Sequence, residues 1–222
     1  MRESVKELVK IFSEKYPIKE PVFEFGSFQV PEQKDFADMR HIFPGKTYFG
    51  CDMRSGPGVD LILDLHNIDL SSKSAGTVLI LDTFEHVEYP RKAIKEVYRI
   101  MKSDGIVLIT SVMNFPIHEH PSDYWRFTPE GFKSLLEDFK FKYVDFVGNE
   151  LFPHTVVGIG AKDLSYNYYL DSFKEDIISW KEKWKVSPYE ESQLNFYSLM
   201  KSGIKNPDKI PDFLKEKIFR KL

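Results

Sequence analysis

The sequence predicts an α/β protein: an open sheet of seven strands, mostly parallel with an antiparallel final strand, flanked by helices and followed by a C-terminal helical extension. Three observations carry this. Short apolar runs alternate with helical patterns between residues 20 and 162, the signature of strand–helix–strand units and a parallel sheet. One run, "AGTVLILDTF", has an unbroken apolar centre, as expected of a strand buried on both faces. The last two strand candidates, "FKYVDFVG" and "HTVVGIGAK", are separated by a short loop, which only antiparallel neighbours allow.

The elements follow in order. Val5, Leu8, Val9, Ile11 and Phe12 recur at helical spacing, so residues 3–15 read as an amphipathic helix stopped by Pro17 and Pro21. "VFEF" is the first strand candidate. "KDFADMRHIF" looks helical, closed by Pro44-Gly45. "KTYFGCD" and the short "VDLILDL" are strands two and three, and "AGTVLILDTF" is the fourth. In "PRKAIKEVYRIMK", Pro90 opens a helix with Ala93, Ile94, Val97, Ile100 and Met101 on one face. "SDGIVLITSV" is a turn and the fifth strand. "TPEGFKSLLEDF" starts a helix, with Thr128 as N-cap and Pro129 at its first position. After Lys162 the strand alternation stops, and residues 163–222 carry Tyr, Trp, Lys and Glu in a patchy helical pattern. The expected division is therefore 1–162 for the sheet domain, with an N-terminal helix within 1–19, and 163–222 for a helical appendage that packs on the sheet, covers the site or forms a homodimer contact.

Composition narrows the function classes. The chain has 222 residues, 42 % apolar and 29 % charged, so it is neither disordered nor fibrous. Its formal charge of −3 supplies no basic field for nucleic acid. The single cysteine, Cys51, forms neither an intramolecular disulfide nor a zinc motif. No segment reaches the ~18 apolar residues of a membrane span, and the N-terminus lacks a signal-peptide core. A soluble cytoplasmic protein without membrane or nucleic-acid partners is the expectation, and no metal is assigned.

Five stretches could carry chemistry. In an open sheet, ligands sit at the carboxyl ends of the strands where strand order reverses, which is beside the first strand. There, Glu24 and Gly26 of "VFEFGS" mark either a cofactor turn or an ordinary strand end. A carboxylate disfavours a diphosphate and suits a ligand carrying an amine or sulfonium. Asp52, ending strand two, could accept both hydroxyls of a ribose or cap the turn after it. Asp64 and Leu65, after strand three, could border an adenine, or Asp64 is a turn residue. In "LDTFEHVEYP", Leu81 and Asp82 would border the cofactor, and Glu85 and His86 cap a helix or face substrate. The loop after strand five, "SVMNFPIHEHPSDYWRF", is dense in functional groups: Asn114, His118, His120, Asp123, Tyr124, Trp125 and Arg126. It reads as a substrate loop, or as a structural loop anchored by Trp125 and Phe127.

Together these pieces resemble the class I S-adenosylmethionine-dependent methyltransferases, in particular the small-molecule type called methyltransferase type 11. The resemblance covers roughly residues 20–162. Its most specific segment is "TVLILDTFEHVEYPRKAIKEVYRIMKSDGIVLIT", which is similar to the family's strand, Glu-His-Val, proline, helix and strand; Ser103 and Asp104 replace its usual proline and first glycine. The resemblance implies a Rossmann-like fold, with Glu24 and Gly26 at the methionine end of S-adenosylmethionine and Asp52 on the ribose. It places Met53, Asp64 and Leu65 at the adenine, and Leu81, Asp82 and His86 near the sulfonium and acceptor. The family's loop carries two further glycines where this chain has Phe28 and a divergent path through Ser27 and Gln29; Gln29 would supply a polar contact in their place. His118, His120 and Asp123 are the candidate bases, with Asn114, Tyr124, Trp125 and Arg126 toward a small, perhaps sugar-like, hydroxylated acceptor. The missing glycines keep a non-catalytic binding or scaffold protein of the same fold as the alternative, and the acidic turn disfavours a nicotinamide-dependent oxidoreductase.

Overall fold

The computed structural model describes residues 2–118 and 121–186. Seven strands form one sheet in the order β3-β2-β1-β4-β5-β7-β6: β1 Val22–Phe25, β2 Tyr48–Asp52, β3 Leu61–Ile62, β4 Ala75–Leu81, β5 Met101–Val112, β6 Phe141–Gly148 and β7 Pro153–Ala161. The first five are mutually parallel, and β7 runs antiparallel to both β5 and β6. The one reversed strand is thus the last in sequence, as expected, but it lies between β5 and β6 rather than at the edge. Strand order reverses between β1 and β4, so their carboxyl ends flank the crevice where such sheets bind ligands.

The continuous apolar strands work because both faces are covered. In β4 and β5, Val78, Ile80, Val107 and Ile109 point to one layer, where Ala93, Ile94, Val97 and Ile100 of α2 (Pro90–Ile100) and Phe132 and Leu135 of α3 (Pro129–Leu135) meet them. Leu79, Leu81, Ile106 and Leu108 point to the other, against Val5, Leu8, Val9 and Phe12 of α1 (Glu3–Lys15). The strand period of two hides inside an uninterrupted apolar run. Pro90 stands at the start of α2, and the Thr128 side chain accepts from Gly131 N to cap α3.

One expectation changes. Residues 34–43 form no α-helix; the crossover from β1 to β2 consists of turns, with short 3-10 segments at Pro31–Gln33 and Arg40–Ile42. Aspartates compete with the helix here: Asp35 takes a positive φ of 64°, and the Asp38 carboxylate accepts from the backbone N–H of Arg40, local bonds that replace a helical turn. Beyond residue 162 the chain packs back, one of the placements expected of the appendage. A 3-10 segment, Leu164–Tyr169, leads into α4 (Leu170–Lys183), which packs on α1 within the same compact unit, residues 1–185. Trp180 is buried there and its indole N–H donates to the Ser4 carbonyl at 2.8 Å. Phe12, Tyr16, Phe141, Tyr169 and Phe173 form an aromatic cluster at the junction. The expected second helix, "PDFLKEKIFRKL", and with it a C-terminal dimer contact, lies outside the described residues.

Replacing Trp180 tests this packing. Trp180→Ala should cost about 3–5 kcal/mol in denaturant unfolding, and Trp180→Phe, which loses mainly the indole hydrogen bond, about 1–2 kcal/mol. Equal stability in all three proteins would show that α4 does not belong to the fold.

Candidate active site

A cavity of about 680 Å³ opens over the carboxyl ends of β1, β2 and β4. Its first wall is the turn after β1. Gly26 has φ +83°, and a Cβ there would lie 2.2 Å from Thr83 Oγ1, so this position requires glycine on two grounds. The N–H groups of Gly26 and Ser27 both donate to the Cys51 carbonyl. Beyond them the chain departs from a glycine-rich path. The Phe28 ring lies under the Arg54 guanidinium, 4.4 Å from ring centroid to Cζ, and covers Gly56. Gln29 is buried against Gly58, and its Oε1 accepts from Asp35 N. Gln29 therefore braces the loop, not the cavity wall; Phe28 lines the edge.

Glu24, Asp52 and Asp82 bring three carboxylates to the cavity. Glu24 is buried, and burial pushes its carboxyl up to about 7, offset in part by the Tyr48 hydroxyl donating at 2.6 Å. Asp52 is buried at the end of β2; Oδ1 accepts from Arg54 N at 3.0 Å, and Oδ2 has no hydrogen-bond partner among the described residues. Asp82 takes φ +46° and turns the chain above the sheet. Burial opposes its charge, but the Arg2 guanidinium, donating to both oxygens at 2.8 and 2.9 Å, holds its carboxyl below the usual range. Arg2 is a site residue that sequence reasoning missed: one arginine ahead of a helix looks like any solvated charge.

The adenine-side candidates border the same cavity: Met53, Asp64 and Leu65. Asp64 Oδ1 accepts from the His66 backbone and faces its Nδ1, both at 2.8 Å. Leu81, His86, His118 and Tyr124 complete the acceptor side. Glu85, on the short 3-10 turn Phe84–His86, also lines it and is fully buried. Burial and the neighbouring Asp82 charge push its carboxyl up to about 8.

The loop after β5 divides into a wall and a brace. Tyr124 N and Trp125 N both donate to the Glu85 carbonyl, and the Trp125 indole donates to the Val87 carbonyl. Arg126 grips both oxygens of Asp123 and donates to the Phe115 and Pro116 carbonyls. The Arg126 bonds, with the His118 backbone N–H, hold the Asp123 carboxyl well below its ordinary range. A saturated, strongly acidic carboxylate holds loop geometry; it does not take protons at neutral pH. Asp123, Trp125, Arg126 and Asn114, whose backbone N–H donates to Pro153, lie outside the cavity lining. His120 lies outside the described residues.

Comparison with known proteins agrees with this arrangement. Residues 50–109 match the family described as "Methyltransferase domain". Among solved structures, the chain is similar to a SAM-dependent methyltransferase from Archaeoglobus fulgidus, with 18 % identity and a TM-score of 0.53 over 70 % of this chain and 93 % of that one. It is also similar to one from Thermotoga maritima, with 17 % identity and a TM-score of 0.52 over 72 % of this chain and 92 % of that one. No curated protein matches.

Removing the Arg2 guanidinium should expose what it neutralises. Arg2→Met leaves Asp82 as an uncompensated buried charge, an expected loss of about 3 kcal/mol near neutral pH. Because the paired carboxyl is held below its unfolded value, this contribution is present above the unfolded pKa of about 4 and disappears as pH falls through the folded one. The stability gap between wild type and Arg2→Met in urea should therefore close in acid, and a gap independent of pH would refute the pairing.

Residues 50–109 thus match the methyltransferase family, and the strand order, with its crevice between β1 and β4, makes the whole sheet similar in fold to S-adenosylmethionine-dependent methyltransferases.

Proposed function

We propose that the chain transfers the methyl group of S-adenosylmethionine to a small hydroxylated acceptor, such as a sugar, in the cytoplasm. The carrying observation is Asp52. It lines the cavity at the end of β2 with Oδ2 uncommitted, where a ribose hydroxyl can donate to it. Gly26 lines the same cavity, and the buried Ser27 Oγ beside it has no partner among the described residues. A ligand with hydroxyls and an amine fits this lining.

In this reading Asp52 holds the ribose, and Met53, Asp64 and Leu65 border the adenine. Glu24, Gly26 and Ser27 receive the methionine end, while Gln29 keeps the turn in shape. The cofactor supplies an already activated methyl group, so the protein's task is alignment and exclusion of water. Leu81, Asp82 and Thr83 form the floor. His86, His118 and Tyr124 face the acceptor, and His118 is the described histidine placed to take a hydroxyl proton. Asp123, Trp125 and Arg126 act as positioning residues that fix the His118 loop. The glycine-poor turn favours one other reading, a cofactor-binding protein of this fold without turnover.

Calorimetry with S-adenosylhomocysteine tests the pocket: the wild type should bind, and Asp52→Ala should lose at least tenfold, the value of one hydrogen bond to a charged group of roughly 1.5–3 kcal/mol. No binding at millimolar ligand would sink both readings; binding without methylation of any hydroxylated acceptor would favour the second.

Glu24 supplies a pH test. Its folded carboxyl titrates at about 7, above the ordinary value of 4.5. Between these values the folded state holds the extra proton, so stability falls as pH rises through that window, by roughly 3 kcal/mol in all. Glu24→Gln should remove this share of the decline when melting is compared at about pH 5 and about pH 8. Affinity for a ligand amine at Glu24 should rise over the same window, since only the ionised carboxylate attracts it; an affinity that falls with pH would place the amine elsewhere.

A further inference from the structure

Glu85, His86 and His118 each present a ligand atom to the others, all within 4.8 Å of one another. Glu85 is fully buried; Oε2 accepts from Ser111 Oγ at 2.7 Å, and Oε1 is buried without a hydrogen-bond partner. A buried carboxylate oxygen with nothing to accept from is costly, and it belongs to a side chain on which two imidazoles converge. Each imidazole also contacts an oxygen through Nδ1. His86 Nδ1 lies 2.6 Å from the Ser122 carbonyl, and His118 Nδ1 lies 3.2 Å from both the Pro116 carbonyl and Asp123 Oδ2. A carbonyl only accepts, so each Nδ1 donates, and in the neutral ring this makes Nε2 the nitrogen that would ligate. Metal-binding histidines are oriented by such outer partners. The two rings stand edge to face at 4.7 Å.

The geometry points to a divalent transition-metal site formed by Glu85, His86 and His118 on the acceptor side of the cavity. One carboxylate and two neutral imidazoles are a ligand set for zinc and its neighbours rather than for magnesium or calcium, which prefer all-oxygen sites. Bonds of about 2.0–2.2 Å require the three groups to close by less than about an ångström. The nearby charges leave room for a cation: Arg2 is committed to Asp82 and Arg126 to Asp123, so neither neutralises Glu85 by direct contact.

Three protein ligands leave coordination positions open, and the cavity is what they open onto. Resting on the methyl-transfer reading, the site narrows the acceptor to one with an oxygen donor, or two neighbouring oxygens, able to bind the metal; with the metal bound, His118 is a ligand and no longer the base, and the metal itself lowers the pKa of the acceptor hydroxyl. The acceptor would thus be fixed by coordination more than by shape.

The test uses full-length protein stripped with a chelator and free of S-adenosylmethionine. It is titrated with Zn²⁺ by calorimetry and with Co²⁺ by visible absorption. One equivalent should bind, and Glu85→Gln, His86→Asn and His118→Asn should each weaken it by more than the roughly 10–100-fold that loss of an outer partner costs. Asp123→Asn should fall within that lower range, and His41→Asn, an exposed histidine outside the cavity, should bind as wild type does. Because Glu85→Gln also disturbs a buried hydrogen bond, wild-type protein loaded with Co²⁺ is examined by NMR, where the imidazole protons of His86 and His118 should show paramagnetic shifts. Absence of binding by the folded wild type, binding that survives both histidine substitutions, or unshifted imidazoles would overturn the site. With no cofactor present, such a failure leaves the methyl-transfer reading standing, and failure of cofactor binding leaves the metal result standing.

Discussion

Three carboxylates, the buried Glu24 and Glu85 and the half-buried Asp82, stand at and just beyond the carboxyl ends of β1 and β4, and the structure above the sheet follows from the cost of keeping them there. A buried carboxylate must be paired, hydrogen-bonded or protonated. Each meets this differently. Asp82 takes the guanidinium of Arg2, which ties the N-terminal segment across the sheet. Glu24 takes the Tyr48 hydroxyl. Glu85 takes Ser111 on one oxygen and nothing on the other. The degree of satisfaction sorts them into a structural group, a group that titrates near neutrality, and one poised for a ligand.

The loop after β5 shows the same division. It is anchored through the carbonyl of Glu85, by Tyr124 and Trp125, and stiffened by the Arg126–Asp123 pair. Functional geometry requires support of this kind, because a side chain on an unbraced loop cannot be held to the tolerance that chemistry needs. The charged residues in this stretch are mostly the brace, and His118 and Tyr124 are what the brace presents.

Much of the fold was legible because periodicity and end signals agreed. The helix at residues 3–15, Pro90, the Thr128 cap and the paired last strands all followed local rules that packing reinforced. The segment 34–43 was not legible, since its apolar spacing suits a helix while Asp35 and Asp38 satisfy the backbone locally. Which placement the stretch after residue 162 would take was not legible, because its patchy aromatics declare a partner only once α1 is seen beneath them. Strand-end positions pointed to Glu24, Asp52, Asp64 and Asp82, and all four line the cavity. Sequence could not separate Asp123 and Arg126 from a catalytic pair, because a brace and a base use the same residue types. Arg2 left no signal, since its partner lies 80 residues away. The glycine-poor turn still leaves the cavity open beside Gly26, because Phe28 and Gln29 turn onto Arg54, Gly56 and Gly58.

The account stands on the cavity between Gly26 and Asp52 being a cofactor site. The most direct measurement is a crystal structure of the protein with S-adenosylhomocysteine. The account predicts the ribose hydroxyls on Asp52 and the amino group beside Glu24, with the sulfur facing the Glu85–His118 wall. An empty cavity at saturating ligand, or a ligand bound away from Asp52, would contradict it.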